Sequence, residues 1–304
     1  MNLFFCETPF HYLMSISIVD KFDIDDAVIL IKKGMLKKSS RDVKVIELGG
    51  GGALLFFILL NRNKISSFYS GNLKKIKSRF ICQVLRGKKI FSFDDGAGSR
   101  WGSGYFYNTN ESLLKKIVLF FIGGRYQDFW ERKVICHYSI FEKGITFLGK
   151  KTIIIPLVKS SNINSNVRLG VLDSKSNVFI LGSPFVSDGL VADSDYLNKI
   201  IHIANNFPEC NIFYYCHPRE DYDWVVNLTA KLNVKVIASN GPVEMVFTGF
   251  KESTFIGFYS TSLVNLKKMN FDAVYLCHLN FKGFDKSVED FMIINGVIKI
   301  EFEN

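Results

Sequence analysis

The stretch Asn211–Glu220, N-I-F-Y-Y-C-H-P-R-E, places an imidazole, a proline and a guanidinium directly after an apolar run. The run is rich in aromatic and β-branched residues and reads as a buried strand. It stops at His217-Pro218, because proline cannot donate to a sheet ladder and drives its predecessor into an extended conformation. His217 is therefore expected where a strand leaves its sheet. In open parallel α/β sheets that is the side on which ligands bind. A histidine there, with Arg219 beside it, can give a proton to an anionic leaving group. The same residues also fit a strand-end histidine that bonds only backbone, so the neighbouring motifs have to decide.

Three further constellations stand at expected strand ends. Phe93-Asp94-Asp95-Gly96-Ala97-Gly98-Ser99 runs a strand into two acids and then glycines, which let backbone approach a ligand closely. Adjacent carboxylates repel, so one of them has the makings of a base; equally, D-D-G forms turns whose acids bond their own backbone. Leu181-Gly182-Ser183-Pro184 leads through Phe185 to Ser187-Asp188-Gly189, again a strand entering a turn with one acid. Gly257-Phe258-Tyr259-Ser260-Thr261-Ser262-Leu263 brings hydroxyls to a helix N-terminus, which suits a phosphate and also suits a plain N-cap.

The elements that must position these residues follow a strand–loop–helix rhythm. Strands are expected at Leu3–Cys6, Ala27–Ile31, Val43–Leu48, Ile65–Tyr69 and Ile90–Phe93. Thr8-Pro9 opens a helix to Lys21, Gly49–Gly52 precedes a buried helix at Ala53–Leu60, and basic helices cover Asn72–Leu85 and Glu111–Phe121. The Ser/Asn-rich residues 159–176 read as a linker. Beyond it come strands at Val178–Leu181, Val234–Ala238, Thr254–Phe258 and Ala273–Leu276. Helices there are expected at Asp193–Asn206, Tyr222–Leu232, from Pro242, from Ser260 and at Val288–Ile294. This alternation implies α/β architecture, with two Rossmann-like domains, 1–158 and 177–304, and a cleft between them. By fold analogy that is the GT-B glycosyltransferase architecture, its acceptor side in the first domain and its nucleotide-sugar side in the second.

Composition narrows the partners. The chain of 304 residues carries a formal net charge of +9, which suits an anionic partner. No Lys/Arg run interleaves with aromatics as a nucleic-acid groove requires, so no nucleic acid is expected. The six cysteines are scattered without a C-x-x-C pair and read as buried thiols of a reducing compartment. Met1 leads into N-L-F-F-C without a basic n-region, and the longest apolar runs are too short to span a bilayer. A cytoplasmic protein is expected, with peripheral contact at the inner face of the cytoplasmic membrane. A homodimer is left open.

F-D-D-G-A-G-S, H-Y-S-I-F at His137–Phe141, L-G-S-P, C-H-P-R and F-Y-S-T-S-L, together with the opening N-L-F-F-C-E-T-P, resemble glycosyltransferase family 52 in order and spacing. That family is typified by bacterial lipooligosaccharide α-2,3-sialyltransferases. The resemblance implies His217 as general acid. It also implies Ser260, Thr261 and Ser262 around the CMP phosphate, with Gly182, Ser183, Pro218 and Arg219 on the nucleotide side. Asn240–Glu244 would face the nucleoside, with Glu244 on ribose hydroxyls. The base is where the chain departs: the acid that follows G-S-P is replaced by Phe185, leaving Asp188 or Asp94 for the role. The implied reaction moves sialic acid from CMP-sialic acid to a terminal sugar, such as galactose, of lipooligosaccharide or another surface glycan. It would be an inverting displacement with no metal and no cofactor beyond the donor. Two other readings remain: a GT-B enzyme with a different nucleotide sugar, and a non-catalytic glycan- or membrane-binding protein using the basic helices.

Overall fold

The computed structural model describes residues 1–35, 43–73, 75–96, 133–141, 151–157, 176–247, 249–250, 252–281, 284 and 286–301. The expected helix Glu111–Phe121, residues 97–99 of the glycine turn and nearly all of the expected linker lie outside them. The chain forms two compact units, Met1–Asn164 and Ser165–Asn304.

The first unit is built on a seven-stranded sheet. Its strands are β1 (Asn2–Cys6), β2 (Ala27–Lys32), β3 (Lys44–Leu48), β4 (Ser67–Ser70), β5 (Lys89–Phe93), β6 (Val134–Ser139) and β7 (Thr152–Ile154). They lie in the order β3-β2-β1-β4-β5-β6-β7, every pair parallel. The second unit carries a six-stranded sheet of β8 (Asn177–Leu181), β9 (Asn211–Tyr215), β10 (Val234–Ile237), β11 (Thr254–Gly257), β12 (Val274–Cys277) and β13 (Ile298–Ile300). Its order is β10-β9-β8-β11-β12-β13, again all parallel. Each first strand is buried for most of its length, as strands covered on both faces must be.

The chain carries 29 phenylalanines, and several of them pack on the sheets of both units. Phe4, Tyr69 and Phe91 stack across β1, β4 and β5 at centroid separations of 4.2 and 4.7 Å. Phe179 on β8 stacks on Phe213 of β9 and Phe255 of β11 at 5.1 and 5.4 Å. Such aromatic neighbours on one sheet face hold parallel strands in register.

Helices follow the strands. Helix α1 (Pro9–Phe22) starts as its sequence requires: the Thr8 side chain accepts from the His11 N–H and Pro9 takes the first turn. Among the described residues this unit also has α2 (Gly51–Asn61) and α3 (Ile76–Val84), the latter shorter than the expected basic helix. The second unit has α4 (Asp193–Asn205), α5 (Tyr222–Thr229), α6 (Val243–Val246), α7 (Thr261–Lys268) and α8 (Lys286–Ile294). Strands β6, β7 and β13 have no counterpart in the sequence reading, the last two because a three-residue strand carries little period. One expectation is overturned. Ala53–Leu60 is helical but not buried: Leu54 and Ile58 face the core, whereas Phe56, Leu59 and Leu60 are exposed.

Candidate active site

In each sheet the first strand has its successors on both sides. The chain therefore reverses its winding between β1 and β4 in one unit and between β8 and β11 in the other. Loops leave in opposite directions at such a point, and a crevice opens beyond the strand ends.

Beyond β8 and β9 the polar groups converge. The Gly182 N–H donates to the Tyr215 carbonyl at 2.9 Å, extending the pairing past the last strand residue. A side chain at Gly182 would put its Cβ 2.9 Å from the Tyr214 hydroxyl and 3.0 Å from the His217 nitrogen, and on top of the Glu220 carboxyl. Only glycine lets the two strand ends come this close. The Ser183 N–H donates to the Tyr196 hydroxyl (3.1 Å), which lies 2.9 Å from the Tyr214 hydroxyl. Tyr214 in turn donates to Glu220 Oε1 at 2.7 Å, so the Tyr196 proton goes to the Tyr214 oxygen. Glu220 Oε2 accepts from the His217 N–H at 2.7 Å. Burial pushes the Glu220 carboxyl up to about 7, against the hydrogen bonds from His217 and Tyr214 that favour its charged form. Burial likewise raises Tyr196 and Tyr214. A pocket of about 240 Å³ opens beside this network, lined by Ser183, Val186, Ser187, Glu220, Asp221 and Trp224.

His217 stands half-buried at the mouth of the turn. Its Nδ1 accepts from the Arg219 N–H at 3.1 Å, so the ring hydrogen of the neutral form sits on Nε2. Among the described residues nothing hydrogen-bonds that Nε2. Burial and then the Arg219 charge lower the His217 pKa, while Asp188 works the other way. Asp188 lies in the turn after Pro184, where its N–H donates to the Pro184 carbonyl at 2.8 Å, and its carboxylate pairs with Arg219 at 3.0 Å. The turn at G-S-P and the His-Pro turn thus share Asp188, Arg219 and His217 on one side of the crevice; Pro218 is exposed between them.

Across the reversal point, Ser260 caps α7, its hydroxyl accepting from the Ser262 N–H at 3.3 Å, and Thr261 opens the helix. The N-terminus of α7 faces out beyond β11 with these hydroxyls around it. Glu244 on α6 is buried and accepts from Asn265 Nδ2 at 2.6 Å. Burial raises its pKa, with Asn265 and Ser262 hydrogen bonds opposing. Glu244 therefore lies against the hydroxyl run. The Tyr215 hydroxyl donates to the Gly241 carbonyl at 2.5 Å and accepts from the Asn240 N–H at 3.1 Å, which pins the Asn240–Gly241 turn.

The crevice of the first unit is built from acid–histidine pairs. Asp94 is fully buried, with Oδ1 2.9 Å from His137 Nε2 and Oδ2 accepting from the Ile140 N–H at 2.9 Å. His137 Nδ1 meets the Ser92 hydroxyl at 2.9 Å. The presented carboxyl of the D-D-G turn is Asp95's, about one fifth exposed, and not that of Asp94. Asp95 accepts from His11 Nε2 at 2.5 Å and Asn72 Nδ2 at 2.6 Å, and the Glu7 N–H donates to His11 Nδ1 at 3.3 Å. His11 stands in the first turn of α1, the helix that follows β1, and Asn72 and Asp95 lie two residues past the ends of β4 and β5, so the three come from the segments leaving the strands around the reversal point. From the sequence Asp95 is a candidate only as one of the two adjacent acids, and His11, Asn72, Glu220, Tyr196 and Tyr214 have no expected role. Lone hydroxyls, amides and imidazoles inside apolar segments were the available signal.

Among the described residues no cluster of His, Cys, Asp and Glu has the geometry to hold a metal ion. No helix among them is long and apolar enough to cross a membrane.

Comparison with known proteins agrees with this architecture. UDP-GlcNAc 2-epimerase from Methanocaldococcus jannaschii superimposes with a TM-score of 0.60 at 14% identity, over 100% of this chain and 89% of the epimerase. S. aureus MnaA, solved with UDP, gives 0.56 at 11% identity, over 93% and 80%. Anabaena Alr3699/HepE, solved with UDP-glucose, gives 0.52 at 12%, over 96% and 88%. At such identities the likeness shows the fold, which is the GT-B class of two Rossmann-like α/β units. A search of curated proteins finds no match. The sequence model of glycosyltransferase family 52 matches residues 17–282, most of the chain, and the protein belongs to that family.

Proposed function

We propose that this glycosyltransferase moves sialic acid from CMP-sialic acid to a terminal sugar of a bacterial surface glycan, with inversion at the anomeric carbon. The observation that carries the reading is the pairing, on either side of one strand-order reversal, of an imidazole Nε2 that is unengaged among the described residues with a hydroxyl-capped helix N-terminus. A phosphate monoester anion fits between such groups: helix N–H groups and the Ser260–Ser262 hydroxyls would take its oxygens, and His217 would hand over a proton as it leaves. Glu244 would lie toward the ribose, with Gly182 and Ser183 lining the approach. In the transfer the acceptor hydroxyl loses its proton to a carboxylate, its oxygen bonds to the anomeric carbon, and the carbon–phosphate oxygen bond breaks.

For the base, Asp188 remains the reading in the second unit. At the D-D-G turn, accessibility favours Asp95, with Asp94 shaping the turn from beneath through His137. The acceptor would be a lipooligosaccharide or related glycan at the inner face of the cytoplasmic membrane. A different nucleotide sugar is favoured by one fact, that two fold relatives were solved with UDP or UDP-glucose. A melting-temperature panel with CMP, UDP and GDP separates the two, because a ligand that binds the folded state raises the transition. CMP alone is expected to do so. A shift with UDP and none with CMP would overturn the sialic acid donor.

A further inference from the structure

Between Glu47 and Asp94 the chain has no carboxylate, while it carries nine lysines and arginines. The exposed helix α2 lies inside this stretch. Leu54 and Ile58 point inward, and Phe56, Leu59 and Leu60, at i, i+3 and i+4, form one stripe on the opposite side, 65%, 52% and 66% exposed. Three adjacent large apolar side chains in water are unusual on a surface without a partner. Cations stand at the C-terminal end of the stripe. Arg62 and Lys64 follow the last turn and are exposed.

We infer that α2 is a docking surface for an anionic lipid bilayer, with Phe56, Leu59 and Leu60 entering the acyl boundary and Arg62 and Lys64 meeting headgroup phosphates. An apolar stripe with a basic border and no acid is the composition that lies flat in such an interface. A second copy of the chain fits less well, because a two-fold contact over α2 would set these cations against each other. The inference shares with the proposed function only the membrane-side acceptor, and its test uses no sugar.

The test is co-sedimentation of the full chain with vesicles of phosphatidylcholine alone and of an equal mixture with phosphatidylglycerol. Binding to the mixed vesicles is expected, at least about tenfold stronger than to the neutral ones and weakened by salt. F56S/L60S should lose about tenfold or more while keeping the melting temperature, since both side chains are exposed. R62Q/K64Q should lose the preference for anionic lipid, and it provides a second readout should the first variant misfold. Equal binding to both vesicles, or mixed-vesicle binding unchanged in both variants, would overturn the inference. So would a dimer in solution that F56S/L60S dissociates, because a second copy would then cover the stripe.

Discussion

The two crevices differ in what their histidines are given to hold. In the first unit both histidines face carboxylates, His137 on Asp94 and His11 on Asp95. In the second, His278 at the end of β12 is also held on a carboxylate, Glu289 at 3.0 Å, but the carboxylate next to His217 is turned away: Glu220 takes the His217 backbone N–H and the Tyr214 hydroxyl, and among the described residues nothing hydrogen-bonds the His217 Nε2. An imidazole bonded to a carboxylate orients that carboxylate and keeps its own proton occupied. One whose hydrogen points to open crevice is free to give it up. The first crevice is thus arranged to position acids, and the end of β9 in the second to deliver a proton.

The largest effect should come from removing that delivery. His217→Ala is expected to lower transfer from CMP-sialic acid by roughly 10²- to 10⁴-fold, the usual worth of general acid catalysis. Near-normal turnover in single-turnover assays would reduce His217 to a strand-end residue and erase the contrast between the crevices.

The base comes next. Asp188→Asn and Asp95→Asn should separate, one losing about 10²-fold or more in kcat and the other changing mainly KM. CMP affinity by calorimetry should stay within a few-fold for Asp95→Asn. If both variants turned over like wild type, neither crevice would hold the base.

A smaller change tests how the second crevice is closed. Gly182→Ala places a methyl against Glu220 and Tyr214 and should cost roughly 1–3 kcal/mol in denaturant unfolding, with weakened nucleotide binding. An unchanged midpoint would mean that the strand ends separate readily.

The smallest effect is a slope. Folding lifts Glu220 from 4.5 to about 7, so between those values the folded chain holds a proton that the unfolded chain has released. Its contribution to stability is complete below pH 4.5 and is lost as the pH rises through 7. Glu220→Gln should flatten the fall in melting temperature across that window relative to wild type. An identical slope in the variant would place the titration elsewhere. His217 has the opposite sign: lowered in the free protein, it should gain a proton beside a bound phosphate, so CMP should bind more tightly at pH 6 than at pH 8 and His217→Ala should lose the difference.

Local chemistry determined much of this protein from sequence. Proline after His217 ended β9 where expected, Thr8 and Ser260 cap the helices they were expected to cap, and the apolar runs Leu3–Cys6 and Val178–Leu181 are strands β1 and β8. These are decisions within a few residues, governed by missing N–H groups, fixed φ and side-chain caps. Burial was decided elsewhere. Asp94 and Asp95 are indistinguishable as letters, yet alternation along the strand exit puts one beneath the sheet end on His137 and the other at the crevice on His11, residues 43 and 84 positions away. Ala53–Leu60 is apolar all round, and only its packing left Phe56, Leu59 and Leu60 in water. Glu220 sits two residues past Pro218 in plain view, but its raised pKa exists because the fold buries it, against the hydrogen bonds from His217 and Tyr214 that pull the other way. Short-range sterics can be read along the chain; which polar group loses its water depends on what the rest of the fold brings against it.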